Sequence, residues 1–258
     1  MTRPPILILH ATGSNRDRDA ALACEMAGGA PEIVHINRLL SGERKLTDFR
    51  MLVLPGGFSF GDDLGAGKLW AVLLRHRLGD ELRVFVAGKR PVLGICNGFQ
   101  ALIKSGLLPG DRVSPATATL TRNANVHFEC RWVHLAPNPE SPCVFTRGLE
   151  ERIHCPVAHG EGRLVARDAA SLEALEARGQ VALRYVGADG ARARYPDNPN
   201  GSANAIAGIC NLEGTILGLM PHPENHVRPE QHPQHHRGAR GGLGLALFRN
   251  GIRYAAQL

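Results

Sequence analysis

Through its first hundred residues the chain alternates short, nearly continuous apolar runs with segments of helical character, and this alternation limits its fold more than any other feature. "ILILH" (6–10), "PEIVHI" (31–36), "RMLVLPGG" (50–57) and "RPVLGIC" (90–96) read as strands, the third ending in a glycine turn. "RDRDAALACEMAG" (16–28), "LWAVLLRHRL" (69–78) and "NGFQALIKSG" (97–106) read as helices, the last closed by Gly106. Strands with no polar face have no side to turn to water. They predict a parallel sheet covered by helices on both faces.

Further on the pattern changes. "HFECRWVHL" (127–135), "IHCPVAH" (153–159), "GRLVAR" (162–167) and "VALRYV" (181–186) are strand-like segments separated by turns, and "YPDNPNGS" (195–202) is a dense turn cluster. "AIAGIC" (205–210) and "TILGLMP" (215–221), joined by "NLEG", form a hairpin candidate, and "GLALFRNGIRYAAQL" (244–258) returns to a helical pattern. The expected fold is α/β, with a mostly parallel central sheet, helices on both faces and an antiparallel extension, in a single domain over 1–258. A hydrophobic share of 43% supplies such a core and argues against disorder. "HVRPEQHPQHHRGARGG" (226–242), rich in Pro, His, Arg and Gly, is expected to be an exposed loop. Its histidines match no closed zinc spacing and no cysteine joins them, so no metal is expected.

Several function classes fall away. No apolar run is long enough to span a bilayer, and "MTRPPILILH" reads as a first strand rather than a signal peptide. The formal charge is +6, but Arg and Lys are spread along the chain without a dense basic run interleaved with aromatics, so neither membrane nor nucleic acid is an expected partner. The six cysteines, Cys24, Cys96, Cys130, Cys143, Cys155 and Cys210, form no C-x-x-C pair, which suits a reducing cytoplasm.

The glycine run "PGGFSFGDDLGAGK" (55–68) fails as a phosphate loop: Asp62 stands where the first glycine belongs, and Leu69 follows Lys68. Its other use is to bare backbone N–H groups at a strand end, where they stabilise a developing oxyanion. In "GICNGFQ" (94–100) a strand meets a helix with no loop between. That junction lifts Cys96 above the sheet edge, Gly94 and Gly98 permit the tight turn, and the helix start favours negative charge on the sulfur. A nucleophilic thiol needs a base and a group to orient it. Two pairs qualify, His159 with Glu161 in "PVAHGEG" and His222 with Glu224 in "LMPHPEN". Residues two apart in an extended segment lie on one side, so either carboxylate can hold its imidazole. The prolines around His222 mildly favour the second pair, but spacing leaves both open.

"PGGFSFGDDLGAG", "GICNGFQ", "TRNANVHFECRWV", "AHGEGR", "YPDNPNGSANAIAGICN" and "GLMPHPE" together resemble the glutamine-hydrolysing subunits of phosphoribosylformylglycinamidine synthases, which are class I glutamine amidotransferases with a flavodoxin-like fold. The resemblance covers about nine-tenths of the chain. It implies Cys96 as nucleophile, His222 as general base and acid, and Glu224 as its orienting carboxylate. It implies an oxyanion hole of backbone N–H groups from Asn97 and the Gly57–Phe58 segment, and a glutamine pocket with Gln100, Gly98, His159 and Glu161. It further implies an ATP-dependent synthetase subunit as partner, with a small accessory subunit, in purine biosynthesis. No cofactor is implied for this chain; ATP and Mg2+ are implied for the synthetase. The alternatives are an amidotransferase serving another synthetase, or a stand-alone cysteine amidohydrolase. The wording "GDDLGAGKLW" is closer to that of long single-chain enzymes, and 226–242 exceeds what the catalytic core requires. That segment reads equally as a docking surface or a solvated loop.

Overall fold

The computed structural model describes residues 3–110, 116–239 and 241–258. In chain order the elements are β1 (Pro5–His10), α1 (Asp17–Met26), β2 (Ala30–His35), α2 (Ile36–Leu40), β3 (Met51–Leu54), α3 (Lys68–His76), α4 (Gly79–Ala87), β4 (Val92–Ile95), α5 (Asn97–Ser105), β5 (Ala118–Thr121), β6 (Glu129–Pro137), β7 (Ile153–His159), β8 (Arg163–Ala166), α6 (Ala169–Ala177), β9 (Val181–Val186), β10 (Ile206–Cys210), β11 (Ile216–Leu219) and α7 (Leu245–Ala255).

The main sheet runs β2-β1-β3-β4-β11-β10-β9-β6-β7, and β5 pairs with β8 in a separate ribbon. The pairings from β2 to β11 are parallel, and those from β11 to β7 are antiparallel. Each antiparallel step reverses direction, so only β10 and β6 oppose the other strands. The continuous apolar runs have a simple cause. Ile6–Leu9, Leu52–Leu54 and Val92–Ile95 are buried along their whole length, with helices over both faces of the sheet. By contrast β7 alternates buried and half-buried residues, as a strand with one covered face does.

Helix α5 packs on β3, β4 and β11 with α3 beside it, while α1 and α7 pack together against β1 and β3. The buried residues Ala20, Ala23 and Cys24 of α1 fall at helical spacing. At the far end of α5, Gly106 adopts φ +83 and its N–H donates to the carbonyl of Ile103, closing the helix as its position predicts.

Two helices carry no clear period in the sequence. In α4 the run Val84-Phe85-Val86 imitates a strand, and Val84 lies exposed while Phe85 is buried. In α6 the apolar residues are mostly alanine, and what marks its start is Asp168, whose carboxylate accepts the N–H of Ser171. The segment 226–242 contains only the short 3-10 turns Pro229–Gln231 and His235–Arg237 among its described residues. It is not exposed throughout: His226 and Val227 are buried, and exposure begins at Arg228. Arg240 of this segment lies outside the described residues.

Candidate active site

Strands β3, β4, β11 and β7 run the same way, so their C-terminal ends share one edge of the sheet. The predicted residues follow those ends directly: Gly56 and Gly57 after β3, Cys96 after β4, His222 shortly after β11, and His159 as the last residue of β7. Ligands bind at this edge in open α/β sheets because the loops and helix starts there offer unpaired N–H groups.

Cys96 joins β4 to α5 with φ +50 and ψ −103, a conformation that L-residues seldom adopt. Its N–H donates to the carbonyl of Leu219 (2.8 Å), and its carbonyl accepts the N–H of Gln100 (3.0 Å). The neighbouring glycines are required by packing. A Cβ on Gly98 would stand 2.0 Å from the carbonyl oxygen of Leu54, and one on Gly94 would stand 2.9 Å from the carbonyl of Gly98. The helix can start this close to β3 only without those carbons. Gly98 packs α5 closely against β3 and is not among the residues lining the cavity beside Cys96.

His222 and Glu224 are both buried, and the ring Nδ1–H donates to Glu224 Oε1 at 2.6 Å. The backbone does not achieve this by staying extended, as the spacing had implied. Pro223–Asn225 forms a 3-10 turn that swings the carboxylate over the ring. Burial pushes the imidazole pKa down, but the charges of Glu224 and Cys96 prevail and hold it up at about 10. Nε2 has no hydrogen-bond partner among the described residues, and the thiol of Cys96 contacts the carbonyl of Ala158 at 3.7 Å. The thiol thus lies close enough to the ring to help hold its proton, in the loose arrangement typical of free enzymes. Gly56 makes room for the ring: a Cβ there would meet His222 Cε1 at 2.6 Å.

His159 and Glu161 are not brought together in this way. His159 is buried, with neither ring nitrogen partnered among the described residues. Burial, reinforced by His222, drops its pKa to about 3, so the ring is neutral. The Glu161 side chain turns toward Lys104 (4.0 Å), and its carbonyl accepts from Gln100 Nε2 (2.7 Å). The turn carrying both is held by Asn123, whose side chain donates to the carbonyl of His159 (2.8 Å) and accepts the N–H of Gly162 (3.0 Å). Asn200 donates to the carbonyl of Gly162 (2.8 Å). These contacts explain why "TRNAN" and "NPNGS", far apart in sequence, belong with "HGEG".

Two N–H groups are available to an oxyanion. That of Asn97, at the start of α5, makes no hydrogen bond among the described residues, nor does that of Gly57. The N–H of Phe58 is already donated to the carbonyl of Gly13 (3.0 Å), so of that pair only the N–H of Gly57 lacks a partner among the described residues. Asn97 also works through its side chain. Its Oδ1 accepts the N–H of Ser59 (3.0 Å), and its Nδ2 donates to Asp62 Oδ1 (3.1 Å) and Gln100 Oε1 (3.0 Å). Both ends of the Gln100 amide are thereby occupied. Beside Cys96 lies a cavity of about 170 Å³ whose walls include Gly57, Asp62, Gln100, Phe128, His159 and Glu161. Asp62 and Phe128 stand in quoted motifs but gave no sign in the sequence of facing the site.

Four of the other histidines gather elsewhere. His154 stacks on His134 (4.2 Å between centroids), contacts His232 (Nδ1 to Nε2, 2.9 Å) and packs with His226 around Trp132. Among the described residues no three His, Cys, Asp or Glu side chains converge as metal ligands.

The chain matches the CobB/CobQ-like glutamine amidotransferase domain over residues 3–255. It is 48% identical to the phosphoribosylformylglycinamidine synthase subunit PurQ of Treponema denticola, over 98% of this chain and 99% of that protein. It is 44% identical to the subunit of the same name in Dehalococcoides mccartyi, over the whole of both chains. A chain in the structure of PurLQS from Thermotoga maritima superposes with a TM-score of 0.75 at 33% identity, covering 98% of this chain and 99% of that one.

Proposed function

The chain belongs to the CobB/CobQ-like glutamine amidotransferase domain family, and from that membership and its site we propose that it is the glutaminase subunit of a phosphoribosylformylglycinamidine synthase. It hydrolyses glutamine and supplies ammonia to an ATP-dependent synthetase subunit, which converts formylglycinamide ribonucleotide to formylglycinamidine ribonucleotide in purine biosynthesis. The observation that carries the chemistry is Cys96, held at a left-handed strand–helix junction beside a buried His222–Glu224 pair.

The steps follow from the geometry. The raised pKa of His222 lets the ring take the Cys96 proton, giving a thiolate beside an imidazolium that Glu224 stabilises. The thiolate attacks the side-chain carboxamide carbon of glutamine. The oxygen takes the negative charge and is held by the N–H groups of Asn97 and Gly57; losing one such donor lowers kcat on the order of 100- to 1000-fold. His222 returns its proton to the nitrogen, the C–N bond breaks and ammonia leaves, with a γ-glutamyl thioester on Cys96. His222 then deprotonates water, the hydroxide attacks the thioester in the same oxyanion hole, and glutamate departs. His159, neutral at this end of the cavity, is no imidazolium acid toward the ammonia.

Released ammonia is useful only to a partner. The cavity mouth carries exposed aromatic rings, Phe58 at 47% and Phe128 at 54% accessible, and Leu64 and Val126 are also exposed apolar residues of the adjoining loops. Such an apolar rim suits docking of the synthetase, with a small accessory subunit completing the assembly. ATP and Mg2+ belong to the synthetase, and this chain uses no cofactor of its own. The setting is the cytoplasm, where the six free thiols stay reduced; no helix among the described residues is long and apolar enough to cross a membrane. The test is synthesis by the assembled complex with Cys96→Ala. Glutamine-dependent synthesis should be abolished and ammonia-dependent synthesis retained; loss of both would refute the donor role.

A further inference from the structure

We infer that Asp62 holds the α-ammonium group of glutamine and so determines that the site takes a free amino acid rather than a simple carboxamide, with Glu161 as the second carboxylate of that subsite. The inference rests on the glutaminase reading above and adds what recognises the other end of the substrate.

Among the described residues, the carboxylates lining the cavity beside Cys96 are Asp62 and Glu161, and no Lys or Arg lines it. The whole chain carries a formal charge of +6, so this acidic lining runs against the molecule's balance. Asp62 is held in place rather than left to solvent. Its backbone sits at φ +54, and its Oδ1 accepts the N–H of Gly67 (3.2 Å) and Asn97 Nδ2 (3.1 Å). Its Oδ2 has no hydrogen-bond partner among the described residues. Burial raises the carboxyl pKa, Glu161 adds to the rise, and the bonds from Gly67 and Asn97 and the charge of Lys104 only partly offset it. A bound cation would relieve that repulsion. Lys104 offsets the pair only in part: its ammonium is held by the carbonyl of Ala66 and forms a long ion pair with Glu161 (4.0 Å), with no bond to Asp62 among the described residues. An independent sign that this cavity is built for a ligand is His159, 3% exposed and lining it with both ring nitrogens unpartnered.

Glutamine offers the group that two acids read. Its carboxamide goes to Cys96, and its α-ammonium is a charged donor for the free Oδ2. Asn97 links the two ends, since its N–H faces the reacting carbonyl and its side chain fixes Asp62. The test compares glutamine with 4-carbamoylbutanoate, which has hydrogen in place of the α-ammonium, in the complex carrying Asp62→Asn. The asparagine keeps an oxygen for Gly67 and Asn97, so the loop is preserved while the charge is lost. KM for glutamine should rise on the order of 10- to 100-fold with kcat changed little, as expected for a hydrogen bond to a charged group. The preference for glutamine over 4-carbamoylbutanoate in kcat/KM should shrink by the same factor, on the order of 10- to 100-fold, and Glu161→Gln should shrink it less. Equal loss on both substrates, or an unchanged KM for glutamine, would overturn the inference while leaving the glutaminase reading intact. A wild-type complex inert toward glutamine would overturn both.

Discussion

The backbone of Cys96 predicts an inverted order of stability between two inactive variants. In ordinary strand or helix interiors, glycine is less stable than alanine by about 0.5–1 kcal/mol, because it gives up more conformational freedom on folding. At φ +50 and ψ −103 any side chain is strained, and such residues cost on the order of 1–3 kcal/mol. Cys96→Ala keeps the strain and Cys96→Gly removes it. Setting the two effects against each other, the glycine variant should be the more stable by about 1 kcal/mol, equivalent to roughly 2–4 °C in Tm for a chain of this size. Urea melts of both variants give the comparison, provided that m is the same and only the midpoint moves. Both should lack glutaminase activity, so function cannot confuse the result. If Cys96→Gly proved less stable than Cys96→Ala by the ordinary margin, the junction would not be strained and the account of how it presents the thiol would fail.

Other expectations follow from particular contacts. Glu224→Gln leaves His222 with only Cys96 to oppose burial, and kcat for glutamine hydrolysis should fall on the order of 1000- to 10,000-fold, as for the loss of an orienting carboxylate elsewhere. The same variant should change the alkaline stability profile. A pKa raised from 6.5 to about 10 gives stability that is full below 6.5 and lost as pH rises through about 10, and urea midpoints should show a smaller decline in the variant than in the wild type. Gly98→Ala places a carbon 2.0 Å from the Leu54 carbonyl and should destabilise by about 1–3 kcal/mol or more, whereas Gly79→Ala, with its nearest neighbour at 3.9 Å, should be near neutral; thermal melts separate them. The pKa of His154 falls from 6.5 to about 4, so the unfolded chain binds the proton first and stability drops as pH falls through that window. His154→Gln should retain more of its stability between pH 7 and 4, read from midpoints against pH.

The parallel half of the sheet was legible because burial on both faces leaves one mark, unbroken apolar runs such as Ile6–Leu9. The antiparallel half was legible as strands but not as an order. Nothing local in "HFECRWVHL" says that β6 lies between β9 and β7, since its partners stand far along the chain, as Leu135 pairs with Ile153 of β7 and with Tyr185 of β9. Helix α4 was hidden by Val84 and Val86, and β5 by its dependence on β8 for a partner. In the site, the cysteine and its glycines were legible because a tight junction demands specific residue types. Asp62 was not. Its role depends on a left-handed turn and on a contact with Asn97, 35 residues away, and an aspartate in a glycine-rich loop is ordinarily a turn residue.

The two His-x-Glu pairs show most sharply what spacing cannot decide. Both have the same separation, and both follow a strand whose C-terminal end reaches the same edge. They differ in what the backbone does next. After His222 the chain enters a 3-10 turn begun by Pro223, and the start of α7 closes over it so tightly that a Cβ on Gly244 would meet the Pro223 carbonyl at 2.3 Å. The carboxylate is left on Nδ1, out of solvent. After His159 the chain instead turns through Gly160 toward a ladder of asparagine contacts, and Gly162 packs on the imidazole, where a Cβ would lie 2.6 Å from the ring. That turn sends the Glu161 side chain toward Lys104 and leaves the ring neutral with both nitrogens free. One imidazole is therefore arranged to be charged and the other to stay neutral.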